Sequence, residues 1–510
     1  MNRKEKIAHS AMLVTAVIIL SKVIGFGRDV VTTAYFGRTM ANDAYLSAYS
    51  LFYLPVLLFN SCISATLIPL FVDERENNSI DHSNHFASNA INLFALASLV
   101  ITALMLLFAE PMVRLVYMGF GPEAVALTAR LTRIMVLALV FNVTSISVAS
   151  LLNAIEKYIA AQLTGFPLSV CVIGASVFFS ERYGVEAVAW GVFAANVLQL
   201  LVLIPFLRGW FRYSPVLDIR DKRFHTLMTL ALPAVFSMGI SELNHMIDHA
   251  LASGLGTGVL TSMTSAYRLI TFLQGVMIVP LTTILFSKMS RRVATGNERS
   301  ALDMLMNSLM ALAVVIMPVV AIGAVLSKDV IQFAYMRGKF NMQDVYATAG
   351  VLAFYIIGVP AFGMKDILYR LFHAMKDTKT PFVVSCLVVL VNVVLNIVLR
   401  IYMGANGLAL ATSIAGYVGF AVLILRLRKR FGRIGFSKKL GELLKVLFAT
   451  LVCGGVCAFV GRVIPAGESM GICLVRLVVC TLVAGAAYLL CCVVLKIHSL
   501  KAVFGMVHKH

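Results

Sequence analysis

Three basic side chains lie inside apolar stretches of the sequence, where charged groups are rare. Lys22 and Arg28 lie in the first long apolar segment, together with Asp29, and Arg268 lies in a later one. An ionisable group inside a membrane segment costs roughly 3 kcal/mol, so such groups usually face a cavity and have a function. Guanidinium groups bind phosphate oxygens through two parallel hydrogen bonds. The three basic residues therefore predict a binding site for an anion such as a pyrophosphate.

The spacing of the charges in the first segment leaves a structural alternative open. Lys22 and Asp29 are seven positions apart and share nearly one helix face, whereas Arg28 is directed about 100° away from Asp29. In the alternative, Arg28 pairs with Asp29 or with Asp43 of the next segment as a brace between helices. Lys22 would then extend its ammonium group to the membrane surface.

A second group of polar residues follows helical spacing in the seventh apolar segment. It includes Glu242, His245 and Asp248. Together with Asn392 and Asn396 of the eleventh segment, Asp248 is a candidate site for a coupling cation, and simple lining of a cavity is the alternative. The sequence contains no HExxH motif, so we do not expect a metal site.

The elements that must position these residues are membrane-spanning helices. Of the 510 residues, 60% are hydrophobic and 13% are charged, and the mean hydropathy is +0.90, which lies outside the range of soluble domains. Because apolar runs long enough to cross a bilayer recur from end to end, we predict an all-α polytopic membrane protein with about fourteen transmembrane helices. The predicted spans are 8–36, 43–72, 86–109, 125–153, 158–180, 185–207, 225–252, 259–288, 302–326, 344–374, 380–402, 405–426, 440–462 and 470–496.

The net charge of +19 is interpreted as a sign of topology rather than of nucleic-acid binding. Lys and Arg are concentrated in the loops 208–223, 288–299 and 426–445, and cytoplasmic loops of membrane proteins collect such residues. We therefore expect both termini in the cytoplasm and no nucleic-acid partner. The nine cysteines show no metal-ligand spacing, so they are predicted to be reduced packing residues.

The chain repeats itself at a nearly constant spacing. Four of the matches are Ser47-Ala48-Tyr49 with Ser265-Ala266-Tyr267, Tyr117-Met118 with Tyr335-Met336, Ala154 with Ala374, and Gly184 with Gly404. Six predicted spans fit in one period, so the two halves share one orientation and are related by an axis along the membrane normal.

This repeat predicts two parallel six-helix lobes with a substrate path between them. We predict an N-lobe over 1–215, a C-lobe over 216–430, and two further helices over 431–510. Arg268 replaces Ser50 of the first lobe, so its charge is an addition to the repeated scaffold. No G-x-x-x-x-G-K-[ST] motif is present, so ATP is not the direct energy source. We expect a transporter rather than an enzyme.

Several longer stretches resemble a known family in sequence order. They are Ser21 to Asp29, Asp43-Ala44-Tyr45, Arg337 to Phe340, Gly358 to Gly363, Phe372 to Pro381, Val391 to Asn396, and Gly404 to Ser413. With these motifs the chain resembles the MurJ (MviN) family of lipid II flippases, within the MOP transporter superfamily, over nearly its whole length.

The resemblance implies that the chain flips lipid II, an undecaprenyl-pyrophosphate-linked disaccharide-peptide, by alternating access. The movement would run from the inner to the outer leaflet of the bacterial cytoplasmic membrane, and helices thirteen and fourteen would form a groove for the polyprenyl tail. The family's basic cavity residues carry over onto Lys22, where the family usually has Arg, and onto Arg28 and Arg268. Asp29 and Asp43 carry over as their acidic partners.

One departure from the family keeps alternatives open. The family commonly has an essential arginine on the second helix, whereas the segment from Asp43 to Val72 contains no Arg or Lys. Either another group substitutes, or the cargo is another polyprenyl-pyrophosphate-linked oligosaccharide. A cation-coupled exporter and a membrane scaffold that recruits cell-wall synthesis proteins are further alternatives. No cofactor is expected, and the candidate energy sources are a monovalent cation and the membrane potential, which supplies about 2.3 kcal/mol per charge per 100 mV.

Overall fold

The computed structural model describes residues 3–432, 436–465, 467 and 469–500. Within these residues every regular element is a helix. Residues 433–435 of the basic loop 426–445 lie outside the described residues. The chain divides into two compact units, Met1–Thr261 and Ser262–His510.

The first unit is built around the helix α2, which packs against α4, α5 and α10. The helices of this unit are α1 (Arg3–Phe36), α2 (Met40–Asn77), α3 (Ile80–Val116), α4 (Pro122–Val136), α5 (Leu139–Ala154), α6 (Tyr158–Gln162), α7 (Gly165–Phe178), α8 (Ser180–Tyr183), α9 (Glu186–Leu207) and α10 (Lys222–Ala252).

The second unit is built around a long helix, α15, which packs against α13 and α17. The helix α11 (Val259–Leu273) begins in the first unit and ends in the second. The others are α12 (Val279–Ala294), α13 (Glu298–Val325), α14 (Ser327–Tyr335), α15 (Met342–Ala374), α16 (Lys379–Met403), α17 (Ala405–Phe431), α18 (Phe436–Val463) and α19 (Met470–Val494). A short π-helical segment, Gln274–Ile278, joins α11 to α12.

Polar residues at the helix starts explain where two of the long helices begin. Ser79 accepts a hydrogen bond from the backbone N–H of His82 at the start of α3. Asn341 and Asp344 form a reciprocal capping box at the start of α15. Such side chains satisfy N–H groups that have no partner within the helix.

All predicted spans coincide with helices. Among the described residues, ten helices are long and apolar enough to cross a membrane, and α4 with α5 forms one further pair, bent by 43°. The remaining predicted spans are also helical, as α1, α10 and α11 with α12. The all-α polytopic class is confirmed, and the number of fourteen crossing helices stays a prediction, as do the predicted lobe boundaries.

The predicted repeat is confirmed by a hydrogen bond that occurs in both units. The Tyr117 hydroxyl donates to the carbonyl of Ser47 at 3.2 Å. The Tyr335 hydroxyl donates to the carbonyl of Ser265 at 3.1 Å. Each pair is separated by 70 residues, so the matching residues of the two halves make the same tertiary contact.

Backbone conformation repeats at the same spacing. Glu156 has a φ of 61° and its match Lys376 a φ of 59°. Residues other than glycine rarely adopt this left-handed backbone conformation. Gly184 and Gly404 both have a φ of 56°, which glycine adopts without strain. The turns between the helices are therefore part of the repeat.

One repeated contact uses different chemistry in the two units. The Lys157 ammonium lies 5.3 Å from the centre of the Trp210 ring, a cation–π distance. At the matching positions the Asp377 carboxylate lies 3.7 Å from the Arg430 guanidinium. The repeated scaffold thus keeps the contact between the two positions while the residue types change.

The last two helices pack through a core rich in cysteine. Cys453, Cys457, Cys480 and Cys492 are completely buried in one apolar cluster with residues of α13. The Tyr488 hydroxyl donates to the Val314 carbonyl at 2.8 Å, which joins α19 to α13. All nine cysteines are free thiols, and the predicted packing role of these four is confirmed.

Candidate functional site

The helix α1 carries a nearly buried ion pair. The Arg28 Nη2 and Nε atoms lie 2.9 and 3.1 Å from Asp29 Oδ1. The two side chains are only 13% and 22% exposed. The sequence indicated that neighbouring residues point about 100° apart, but the long arginine side chain spans that angle. Tyr45 and Tyr49 of α2 lie within electrostatic reach of the guanidinium.

The Asp43 carboxylate caps the start of α11. Its Oδ2 atom accepts a hydrogen bond from the backbone N–H of Gly258 at 2.5 Å. Its Oδ1 atom accepts from the N–H of Thr261 at 2.9 Å and from the Thr261 hydroxyl at 2.7 Å. The Arg38 Nε atom donates to the Gly258 carbonyl at 3.0 Å. A carboxylate at a helix N-terminus satisfies free N–H groups and interacts favourably with the helix dipole.

This cap matters because α11 is the helix that carries Arg268. Asp43 is only 2% exposed, and the structure therefore gives it a positioning role that the sequence did not indicate. Its predicted contact with cargo stays a prediction. Of the two carboxylates named in the brace alternative, Asp29 pairs with Arg28, and this ion pair lies within α1 rather than between two helices.

The other two basic residues differ in exposure. Lys22 is exposed on α1, and Arg268 is half-buried on α11. They belong to different units, and their convergence with Arg28 on one anion stays a prediction.

The two predicted asparagines of α16 lie together. Asn396 Nδ2 donates to Asn392 Oδ1 at 2.8 Å, and Asn392 Nδ2 donates to the Thr412 hydroxyl of α17 at 3.2 Å. The side chains of Asn392 and Asn396 are buried, and so is Asp248 of α10 in the first unit. Amide and hydroxyl oxygens suit a hard monovalent cation, so the donor types of α16 and α17 fit the predicted coupling ion. Thr412 was not singled out from the sequence.

Sequence analysis also missed three ionisable residues on α15. Lys365, Asp366 and Arg370 lie inside the predicted span 344–374, and the available signal was their charge in an apolar stretch.

A further buried pair joins α19 to α14, where Arg476 lies 3.6 Å from Asp329. In the described part of the chain, no three His, Cys, Asp or Glu residues are placed to hold a metal ion.

Comparison with known protein families gives a match over most of the chain. A family model described as "Lipid II flippase MurJ" matches residues 32–492. The chain belongs to the MurJ family. The motifs from Asp43 to Ser413 fall within the matched residues, and the first motif, Ser21 to Asp29, lies just before them.

Curated relatives agree with this family membership. A probable lipid II flippase MurJ of Rhizobium tropici is 28% identical over 457 residues, which covers 87% of this chain and 85% of the relative. A probable lipid II flippase MurJ of Thermotoga maritima is also 28% identical, over 437 residues, with 86% and 87% covered.

Two solved structures are similar to this chain in fold. A structure of lipid II flippase MurJ in an inward closed conformation is 26% identical with a TM-score of 0.79, and 94% of this chain and 98% of that chain are covered. An inward-facing multidrug resistance MATE family transporter of the MOP superfamily is 14% identical with a TM-score of 0.67, covering 83% of this chain and 100% of that one. The second likeness shows a shared fold.

Proposed function

We propose that the chain is a flippase that moves lipid II from the inner to the outer leaflet of the bacterial cytoplasmic membrane. The match to the MurJ family over residues 32–492 carries this proposal. The basic residues in α1 and α11 supply the charge that a lipid-linked diphosphate requires. In this function the chain binds and moves its cargo, and no bond of the cargo is broken.

Arg28 is the proposed principal ligand of the diphosphate. Asp29 accepts hydrogen bonds from Nε and Nη2 of the guanidinium, and this contact holds the planar group in one orientation. A guanidinium has five N–H donors, so the donors on its other edge remain for phosphate oxygens. Arg268 and Lys22 add positive charge, and Asp43 fixes the start of the helix that carries Arg268.

The direction of transport requires a topology and an energy source. We propose that both termini lie in the cytoplasm, which the basic loops support. A monovalent cation bound by Asp248, Asn392 and Asn396 is the proposed coupling ion, and the membrane potential acting on the cavity charges is the alternative.

The chemistry of the second helix favours one alternative cargo. Between Asp43 and Val72, α2 has no basic residue, and Arg75 in its last turn lies against the Trp210 ring at 5.7 Å. A less basic cavity supports the alternative of another polyprenyl-pyrophosphate-linked oligosaccharide.

Exposed Arg426, Arg428 and Lys429 at the end of α17 support contacts with acidic surfaces of cell-wall synthesis proteins.

The test is complementation combined with a cargo assay. The chain is expressed in a bacterial strain depleted of its own lipid II flippase, and lipid II at the outer leaflet is measured. We expect restored growth and restored outer-leaflet lipid II. Purified protein in vesicles with either lipid II or another polyprenyl-pyrophosphate oligosaccharide identifies the cargo. Failure to move lipid II in both assays, with the protein present in the membrane, would refute the proposal.

A further inference from the structure

A cavity of about 300 Å³ lies at one end of the first unit, where the turn between α5 and α6 meets α1 and α9. This is the size of a small-ligand site. Tyr158 and Phe206 of its lining are exposed, so the cavity opens at the surface of the unit. Most of the lining is apolar, which suits a hydrocarbon chain. It includes Val14, Lys157, Tyr158, Ile159, Leu163 and Phe206.

Two positively charged groups lie beside this cavity. The Lys157 Nζ atom donates a hydrogen bond to the Phe206 carbonyl at 2.6 Å and lies 5.3 Å from the centre of the Trp210 ring. The guanidinium carbon of Arg75, in the last turn of α2, lies 5.7 Å from the centre of the same ring. An exposed tryptophan therefore carries two cations next to an apolar cavity.

Carboxylates do not neutralise these two cations. Among the described residues, Arg75 and Lys157 form no ion pair, and Glu156, which also lines the cavity, pairs with neither of them. Lys157 uses one of its three N–H donors on the Phe206 carbonyl, and a guanidinium carries five donors. Cation–π attraction to the tryptophan is weak at an exposed site, so both groups keep charge and donors for an anion.

The repeat shows that the scaffold does not require this arrangement. In place of the lysine and the tryptophan, the second unit has Asp377 and Arg430, which form an ion pair at 3.7 Å. In place of Phe206 it has Arg426. The second unit thus balances charge with charge at this position, whereas the first unit combines an apolar cavity with two unbalanced cations. This difference indicates a ligand that has one apolar part and one anionic part.

Anionic membrane phospholipids have this chemistry. At this end of the unit α2 and α9 end and α6 begins, and the predicted topology places it at the cytoplasmic surface, where anionic lipids attract Lys and Arg. Exposed Tyr and Trp side chains are typical of the membrane–water interface. We infer that the site binds an anionic phospholipid, with the phosphate held by Arg75 and Lys157 and one acyl chain in the cavity. This binding does not depend on the cargo of the proposed flippase.

The site is tested with the full chain reconstituted in phosphatidylcholine vesicles. The chain contains two tryptophans, so Trp190→Phe leaves Trp210 as the only one, and all variants are made in this background. The fluorescence of Trp210 is measured as phosphatidylglycerol with brominated acyl chains is added, because bromine quenches indole on close approach. We expect saturable quenching. Brominated phosphatidylcholine, which has no net charge, should need at least a fivefold higher mole fraction for half-complete quenching.

Charge variants measure what the two cations contribute. One Lys or Arg near an anionic lipid contributes roughly fivefold in affinity. Lys157→Gln and Arg75→Gln should each raise the half-quenching fraction of phosphatidylglycerol roughly fivefold, and the double variant roughly 25-fold. Lys157→Arg keeps the charge and should stay within twofold. Arg220→Gln, which removes an exposed cation from the loop after Trp210, is the matched control and should also stay within twofold.

The other outcomes overturn the inference. Equal quenching by the neutral and the anionic lipid excludes recognition of the phosphate charge. A loss in Arg220→Gln as large as in Lys157→Gln shows general attraction to the membrane surface instead of a site. Displacement of phosphatidylglycerol by an equimolar polyprenyl phosphate would assign the site to a carrier lipid.

The acyl chain is tested by filling the cavity. Val14→Phe leaves both cations in place and should lower the quenching by brominated chains at least threefold, whereas unchanged quenching would show that the chain lies elsewhere. Leu163→Phe, from another side of the same cavity, replaces this variant if it does not fold. Translocation of the diphosphate lipid is assayed separately, so its absence in a chain that binds phosphatidylglycerol would count against the flippase and not against this site.

Discussion

Replacement of Asp43 by alanine tests whether this carboxylate stabilises the start of α11, the helix that carries Arg268. The substitution removes the acceptor for two N–H groups and one hydroxyl at the start of α11. Loss of a helix cap costs about 0.5–2 kcal/mol, and the unpaired Thr261 hydroxyl adds roughly 1 kcal/mol. Asp43→Ala should therefore destabilise the protein by about 1.5–3 kcal/mol.

The change is measured as a thermal unfolding temperature of the purified protein in detergent. For domains of roughly 150–250 residues, 1 kcal/mol corresponds to about 2–4 °C, so a fall of about 3–12 °C is expected. Asp43→Asn keeps one acceptor oxygen, but its NH₂ group faces an N–H or O–H donor. The fall in its unfolding temperature should therefore be smaller than that of Asp43→Ala. The exposed Glu123 of the same unit provides a control, because Glu123→Ala should stay within about 0.5 kcal/mol.

A double-mutant cycle with Thr261→Val isolates the contact itself. If the cap is real, the combined variant is less destabilised than the sum of the two single changes, because they remove the same hydrogen bond. An unchanged unfolding temperature in Asp43→Ala would refute the capping argument. Lost translocation at normal stability would instead identify Asp43 as a ligand of the cargo.

Three further predictions concern other parts of the chain. Arg268→Lys should recover only part of the complementation that Arg268→Ala loses, because an ammonium cannot form two coplanar hydrogen bonds with a phosphate, whereas equal activity of the Lys variant would exclude fork binding. Cys492→Ala should cost about 1 kcal/mol of stability through the small cavity it leaves and should not change translocation, and a loss of translocation would show that the thiol itself is needed. Burial opposes ionisation of Asp377, but hydrogen bonds from the Thr380 N–H and hydroxyl prevail and lower its pKa. The wild type should then be more stable than Asp377→Asn at pH 7, and this advantage, measured by thermal unfolding, should disappear as the pH falls below about 4; a difference that stays constant to pH 3 would contradict it.

Much of the architecture was predictable from the sequence because it depends on local properties. Apolar runs long enough to cross a bilayer must form helices, since backbone groups in lipid have no other partners. The repeat was also visible in the sequence, and the matching bonds of Tyr117 to Ser47 and Tyr335 to Ser265 confirm it. The position of the bend between α4 and α5 was not predicted, because its flanking residues Leu137 and Ala138 are apolar and continue the same hydrophobic pattern.

The sequence by itself identified Lys22, Arg28 and Arg268 as unusual, because charge in an apolar segment is a local signal, and it named Asp43 only as a possible partner of Arg28. Only the tertiary structure decided what Asp43 contacts, since its partner Thr261 is 218 residues away. The same holds for Thr412, which joins the asparagine pair from a neighbouring helix. Side-chain direction along one helix follows from its period, but contacts between helices depend on how the helices pack, and a single sequence does not encode that packing in any local pattern.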